Sequence, residues 1–304
     1  MTQFSVKADD SHEIPVYEWL PSAEPVAVLH ITHGLAEYAQ RYDWTARKLN
    51  EAGIVVYAHD HRGHGDAIKS IDELGYSGDE SFVRKADDLR LLLQKERQQY
   101  PGKKLFLLGH SMGSFISQYF FQHFGKEIDG LILSSSNGIA DPLLSLGIAF
   151  AKIDGMIFGK KHKSKILDKL TFGKFNDTFK PNRTTHDWLS RDPSQVDKYV
   201  ENEKSGFLVS SGLYYDFFRG LKSIFSAENI ARIPSDVPVY LFAGDMDPVG
   251  LQGKGVIKLA EKWKAAGVHD LEYKLYPGGR HEMLNEINRE EVLEDLVTWL
   301  RKHL

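Results

Sequence analysis

The sequence predicts an α/β fold, a mostly parallel sheet with helices on both faces, interrupted by a helical insertion. Two observations predict it. Short apolar runs at 26–32, 54–58, 104–108, 130–133, 237–243 and 271–276 alternate with longer helix-like stretches. Strands apolar along their whole length, each followed by a helix, are what a parallel sheet covered on both faces requires. The rhythm then fails over 141–226, where apolar residues recur without matching strands. About 85 residues is too long for a loop and reads as a sub-domain. The expected organisation is a core of 1–139 and 229–304, with a helical cap at 140–228.

Taken in order, 4–8 and 14–20 alternate like a half-exposed antiparallel pair joined around Asp9-Asp10-Ser11-His12. After the strand at 26–32 a helix begins near Arg41, with Tyr42, Ala46 and Leu49 on one face and Gly53 closing it. A strand at 54–58 precedes a long amphipathic helix over 81–99, its Phe82, Ala86, Leu89 and Leu93 inward and its charges outward. Residues 104–116 read as strand, abrupt turn and helix, and 130–133 as another strand. In the insertion, Asp141-Pro142 starts a helix. Leu143, Leu146, Phe150, Ile153 and Ile157 form one apolar stripe on it, expected to attach the cap to the core. A second apolar set comprises 207–209, Leu213, Tyr214, Phe217 and Phe218. A strand at 237–243, a helix around 256–263, a strand at 271–276 and a helix at 290–304 complete the chain.

Composition narrows the function classes. With 42% hydrophobic and 26% charged residues the chain is ordinary for a soluble globular protein. A net charge of −4 gives no support for a nucleic-acid or anionic-membrane surface. Zero cysteines exclude disulfides, thiolate catalysis and Cys-based metal sites. The first residues lack the basic and apolar regions of a signal peptide, and no apolar run approaches the roughly 20 residues of a membrane span. The expected location is cytoplasmic.

Gly109-His110-Ser111-Met112-Gly113 fits the Gly-x-Ser-x-Gly elbow, placed where the motif demands, after an apolar strand and before a helix. Glycines two residues either side allow the tight packing that lifts Ser111 Oγ clear of the sheet. A serine nucleophile needs a base, and the base a carboxylate to fix its tautomer. Working residues lie past the C-terminal ends of strands. That rule selects, from 13 histidines, His281 in the loop after the 271–276 strand, and Asp247 in the loop after the preceding strand. Asp245, nearer the strand end, is expected to hydrogen-bond turn backbone instead. Oxyanion donors should be the N–H groups of Met112 and of Leu35 in the loop Thr32-His33-Gly34-Leu35, with His33 holding that loop. His59, Asp60, His61 and His64 lie close enough in sequence to suggest a metal. Arg62 among them disfavours a cation and no second ligand cluster is apparent, so a hydrogen-bonded scaffold loop is expected, with no metal or cofactor.

These residues carry a resemblance. His33-Gly34-Leu35-Ala36-Glu37-Tyr38, the segment 58–65 reading Ala-His-Asp-x-x-Gly-His-Gly, the elbow, and the pair Asp247-Pro248-Val249 and Gly279-Arg280-His281 are similar to those of monoacylglycerol lipase and lysophospholipase-like serine α/β hydrolases. The resemblance spans the whole chain. It implies the α/β-hydrolase fold, a Ser111–His281–Asp247 triad, Leu35 and Met112 as oxyanion donors, and a cap over an acyl pocket. Tyr38 departs from the histidine frequent in the family. The implied activity is hydrolysis of an apolar acyl ester such as a monoacylglycerol or lysophospholipid. The alternatives are amide or peptide hydrolysis on the same fold, and a non-catalytic binding protein. Leu144, Ile148, Met156 and Phe158 lie off the main cap stripe, and a helix apolar on a second face suits a lid over a lipid slot. Ile148 and Phe158 are therefore expected to contact substrate, and the cap to touch lipid aggregates transiently.

Overall fold

The computed structural model describes residues 1–304. Eight strands form one sheet: β1 (Thr2–Lys7), β2 (Glu13–Trp19), β3 (Ala27–Thr32), β4 (Ile54–His59), β5 (Lys104–His110), β6 (Gly130–Ser134), β7 (Val239–Gly244) and β8 (Leu271–Tyr276). Their spatial order is β1-β2-β4-β3-β5-β6-β7-β8. β2 is antiparallel to β1 and to β4, and all other neighbours are parallel. Ten α-helices accompany it: α1 (Asp43–Glu51), α2 (Ser81–Gln99), α3 (Met112–Phe124), α4 (Leu144–Phe158), α5 (Lys165–Phe172), α6 (Pro193–Glu201), α7 (Ser211–Ile224), α8 (Ala227–Ile230), α9 (Lys254–Ala265) and α10 (Arg289–Lys302). This is the α/β-hydrolase architecture, with α4 to α8 lying between β6 and β7.

The period of two along each strand sorts the core. Val28, Val55, Leu107, Leu131 and Leu241 point to one face, under α2, α3 and α9, where the cap residues Leu213, Tyr214 and Phe217 join the same cluster. Leu29, Val56, Phe106, Ile132 and Phe242 point to the other, against α1 and α10. Every residue of β3, β4, β6 and β7 is buried, which is why these strands read as unbroken apolar runs.

Two expectations need correction. On α2 the apolar face is buried as expected, but Lys85, Asp88 and Glu96 are buried too. Asp88 takes a two-pronged ion pair from Arg62 at 2.6 and 2.8 Å, and Glu96 meets His30 Nδ1 at 2.6 Å. The Lys85 amine is pushed down to about 7 by burial, against the pull of Asp88 and Asp216.

The second correction concerns α4. The stripe Leu143, Leu146, Phe150, Ile153 and Ile157 faces solvent, while α4 buries only Ala151 and Asp154. Leu144 and Ile148 pack on the core from its inner side. The reason is the close approach to α7: Gly147 faces the Phe218 ring and Gly155 faces Ser211, each leaving room only for ordinary contact with a methyl-sized group. The helix thus lays its small residues 147, 151 and 155, one turn apart, on α7 and turns its large ones outward. Asp154, on that inner side, accepts a hydrogen bond from Ser211 Oγ.

Candidate active site

Strand register assembles the site. Thr32 at the end of β3 pairs with Gly109 in β5, so the loop after β3 and the elbow after β5 leave the sheet edge together. Gly244 pairs with Tyr276 at the ends of β7 and β8, which sets the Asp247 and His281 loops side by side. Ser111 has φ 51° and ψ −119°, a backbone that a non-glycine residue adopts only under constraint. The constraint is visible: a Cβ on Gly113 would run into the Thr32 carbonyl, and one on Gly34 would come within 3.1 Å of Ser111 Cβ. The elbow and the β3 loop are therefore pressed together. The N–H groups of Leu35 and Met112 are both free of backbone acceptors there.

Asp247 is fully buried, and its Oδ1 lies 2.8 Å from His281 Nδ1 while also accepting the Val249 N–H at 2.9 Å. Nδ1–H then donates to the carboxylate, leaving Nε2 with a free lone pair. Burial alone would lower the His281 pKa; the Asp247 charge and hydrogen bond outweigh it, and the net shift is upward. The imidazole is held between the rings of His110, at 4.8 Å, and Trp188, at 4.9 Å. Asp245 instead accepts the Gly278 N–H at 2.7 Å and braces the turn before His281. Ser111 and His281 line one cleft but share no hydrogen bond. Leu35, Phe172, Trp188, Leu189, Phe207 and Val209 give the cleft its apolar walls, and Asp168, His186 and Tyr199 its polar part. Ile148 and Phe158 are not on that wall: Ile148 packs on the core and Phe158 is exposed beside His162.

An ionic network behind the cleft escaped the sequence reading. Arg41 donates to both oxygens of Glu282 at 2.7 and 2.6 Å and to Glu37 at 2.7 Å. Glu37 in turn accepts the Gly34 N–H at 2.5 Å. One buried guanidinium thereby ties the β3 loop to the residue after His281. Its own side chain lies over the Tyr199 ring of the cap. Burial would raise the Glu282 carboxyl, but Arg41 holds it at about 2. The signal was present as Glu37 and Arg41 four residues apart and as a charge directly following His281. The cap is stitched to the same loops through backbone: Glu282 N–H to Leu189 O at 2.7 Å, His281 N–H to Trp188 O at 3.4 Å, and Gly206 N–H to Ala36 O at 2.9 Å.

The histidine-rich segment does not converge on one point. Glu96, His30, His59, His61 and Thr32 form a chain of hydrogen bonds of 2.6, 2.8, 3.2 and 2.8 Å. Asp60 accepts from Ala39 N, Tyr17 Oη and Asp66 N. His33 accepts the His61 N–H at 3.0 Å and donates to Gly34 O at 2.8 Å, so it holds the β3 loop. Burial keeps His33 down at about 4 and His59, His61 and His64 well below the ordinary imidazole range.

Known proteins share this arrangement of chain. The profile of the family described as "Serine aminopeptidase, S33" matches residues 23–288. A monoacylglycerol lipase of Mycolicibacterium smegmatis is 30% identical over 95% of this chain and 93% of its own. A monoglyceride lipase of Rattus norvegicus is 28% identical over 97% and 88%. The solved structure of a thermostable carboxyl esterase from Bacillus coagulans, in complex with glycerol, superimposes with a TM-score of 0.91 at 28% identity, covering 99% of this chain and 98% of that one.

Proposed function

The chain belongs to the serine aminopeptidase S33 family and is a serine hydrolase of ester substrates; from that premise we propose that Ser111, His281 and Asp247 act as its triad on an apolar acyl ester such as a monoacylglycerol or lysophospholipid. The observation that carries the reading is the buried Asp247–His281 pair, its His281 on the wall of a cleft that also holds the strained Ser111. In the proposed reaction His281 Nε2 takes the Ser111 proton as Oγ attacks the ester carbonyl. Leu35 and Met112 N–H groups stabilise the oxyanion. The imidazolium, steadied by Asp247, returns the proton to the leaving alkoxide, and water then clears the acyl-enzyme by the same route. No cofactor is needed for any of these steps.

Phe172, Trp188, Phe207 and Val209 supply the surface for an acyl chain. Each methylene buried there should add about 0.8 kcal/mol. Across p-nitrophenyl esters, kcat/KM should therefore climb from acetyl to medium chains before the cleft fills, and Phe207→Ser should flatten the climb while sparing the acetyl ester. A wild-type profile falling with every added carbon would sink the lipid reading.

The amide alternative needs an acid for the substrate amine. Asp187 and Asp192 are occupied elsewhere, Asp187 by Thr184 and Asp192 by Ser194 at the start of α6. Asp168 does line the cleft, with Tyr214 Oη at 3.3 Å. Aminoacyl-amide turnover that Asp168→Asn abolishes, with ester turnover kept, would favour the alternative.

A further inference from the structure

We propose that Trp188, carried by the cap, is a positioning residue for His281, holding the imidazole against its ring face and favouring the positive charge the imidazole takes up in the reaction. The inference rests on the triad reading above and adds to it a part supplied by the cap. Its first observation is a contact. The Trp188 and His281 ring centroids lie 4.9 Å apart with the planes tilted by 40°, inside the range of about 6 Å over which an aromatic face attracts a cation. Among aromatic side chains tryptophan offers the strongest such face. His110, at the end of β5, stands against the same imidazole at 4.8 Å. Burial keeps His110 down at about 4, and a charge on His281 pushes it lower still, so it serves as a neutral spacer. The larger, electron-richer face comes from the cap.

The second observation is how firmly that ring is placed. Trp188 is 9% exposed. Phe172 of α5 lies nearly parallel to it at 6.4 Å, and Phe175 meets it edge-on at 5.1 Å. Its N–H donates to Asn176 Oδ1 at 2.8 Å, and its carbonyl accepts the His281 N–H at 3.4 Å. Backbone and ring of one residue thus meet backbone and ring of the base. The same aromatic cluster packs on Val249, whose N–H is bound to Asp247. The charges nearby leave a part for the ring to play. Asp247, and after it Glu282 and Glu37, favour the imidazolium, and burial opposes it. Both glutamates are paired with Arg41, Arg280 is turned to the carbonyls of Asp187 and Ser190, and Asp168 and His186 line the cleft from the cap. The imidazolium exists only between the two proton transfers. A face that favours it over the neutral ring therefore lowers the barrier rather than tightening substrate binding. The base is complete only while residues 188–206 rest on the core.

The test is the pH profile of p-nitrophenyl acetate hydrolysis by wild type, Trp188→Phe and Trp188→Leu. In Trp188→Leu the acidic midpoint of kcat/KM should fall by about 0.5–1.5 pH units and kcat by about 3- to 30-fold. KM should stay within about twofold. Trp188→Phe should recover most of both losses, because an aromatic face remains. A leucine variant with raised KM and an unmoved midpoint would make Trp188 a wall for substrate and overturn the proposal. Should Trp188→Leu not fold, replacing the five tryptophans by mono- and then difluorinated analogues keeps the packing while draining the ring face. The midpoint should then fall in steps, and one that stays in place would equally overturn the proposal. Failure of the underlying reading looks different: Ser111→Ala or His281→Ala protein that still hydrolyses the ester would remove the triad, and Trp188 with it.

Discussion

α3 and α4 are both short, strongly apolar helices, and they meet opposite fates. α3, behind the Ser111 elbow, buries ten of its thirteen residues between sheet and cap. α4, in the cap, buries two of fifteen, one of them an aspartate. Hydrophobicity alone does not choose the buried face of a helix that is apolar all round. Contact shape does: α3 meets a sheet on one side and α2 and α7 on the others, so large side chains find partners everywhere. α4 has one close neighbour, α7, and gets nearest to it with glycine and alanine. The core therefore encodes geometry for chemistry, and the cap encodes surfaces.

That contrast can be tested by where substitutions hurt. The largest effect should come from the core edge: Ser111→Ala should lower ester turnover on the order of 10⁶-fold, with an unchanged melting temperature and no labelling by a fluorophosphonate probe. Retention of activity within tenfold would remove Ser111 from the reaction. Next, Asp247→Asn should reduce kcat about 10⁴-fold, whereas Asp245→Asn should act mildly. The pH profile sharpens this. His281 must be neutral to act as base and its pKa is raised, so kcat/KM should fall as pH drops through a midpoint above the ordinary imidazole value. In Asp247→Asn the residual activity should show that midpoint at lower pH, because burial then loses its main opponent and, among charged groups, only Glu282 and Glu37 still favour the charged imidazole.

A third variant probes the seam between the two regions. Arg41→Met would leave Glu37 and Glu282 buried without their partner and should cost about 3–5 kcal/mol by urea unfolding. The loss should extend to kcat/KM, because the Gly34 and His281 loops lose their common tie. An unaltered kcat/KM in a destabilised variant would make the network purely structural. The smallest effect tests α3 against α4 directly. Phe120→Ala in α3 should cost about 3–5 kcal/mol. Leu146→Ser in α4 should stay within about 0.5 kcal/mol. Equal costs would mean that the outward stripe has a partner within the folded chain.

Much of the core was legible because its signals are local. Runs such as 54–58 and 130–133 announce buried strands by composition. The loops holding Asp247 and His281 announce themselves by following strands, and the Gly109–Gly113 spacing by the turn it permits. What could not be read depends on partners far away in sequence. Glu282 pairs with Arg41 across 241 positions, and Glu96 with His30 across 66. The charges on α2 followed the usual rule in sequence but had buried partners waiting in β3 and the loop after β4. Ile148 and Phe158 stand out in sequence by their angle on α4, which carries no information about α7. The apolar walls at Phe172 and Phe207 lie in segments whose path is set by how the cap closes, and no periodicity reports that.

The three backbone hydrogen bonds between the cap and the loops of the site have a further consequence. The amides of His281, Glu282 and Gly206 all donate across this seam, and each loses its acceptor when residues 188–206 move off the core. Their exchange with deuterium therefore times that departure, whatever the substrate. The same event frees the backbone on either side of the imidazole, so residues 188–206 cannot move away without loosening His281, the proposed base. A ligand that slows exchange at these three amides is one that fits beneath the closed roof, which makes them a clock for the cap that runs without turnover.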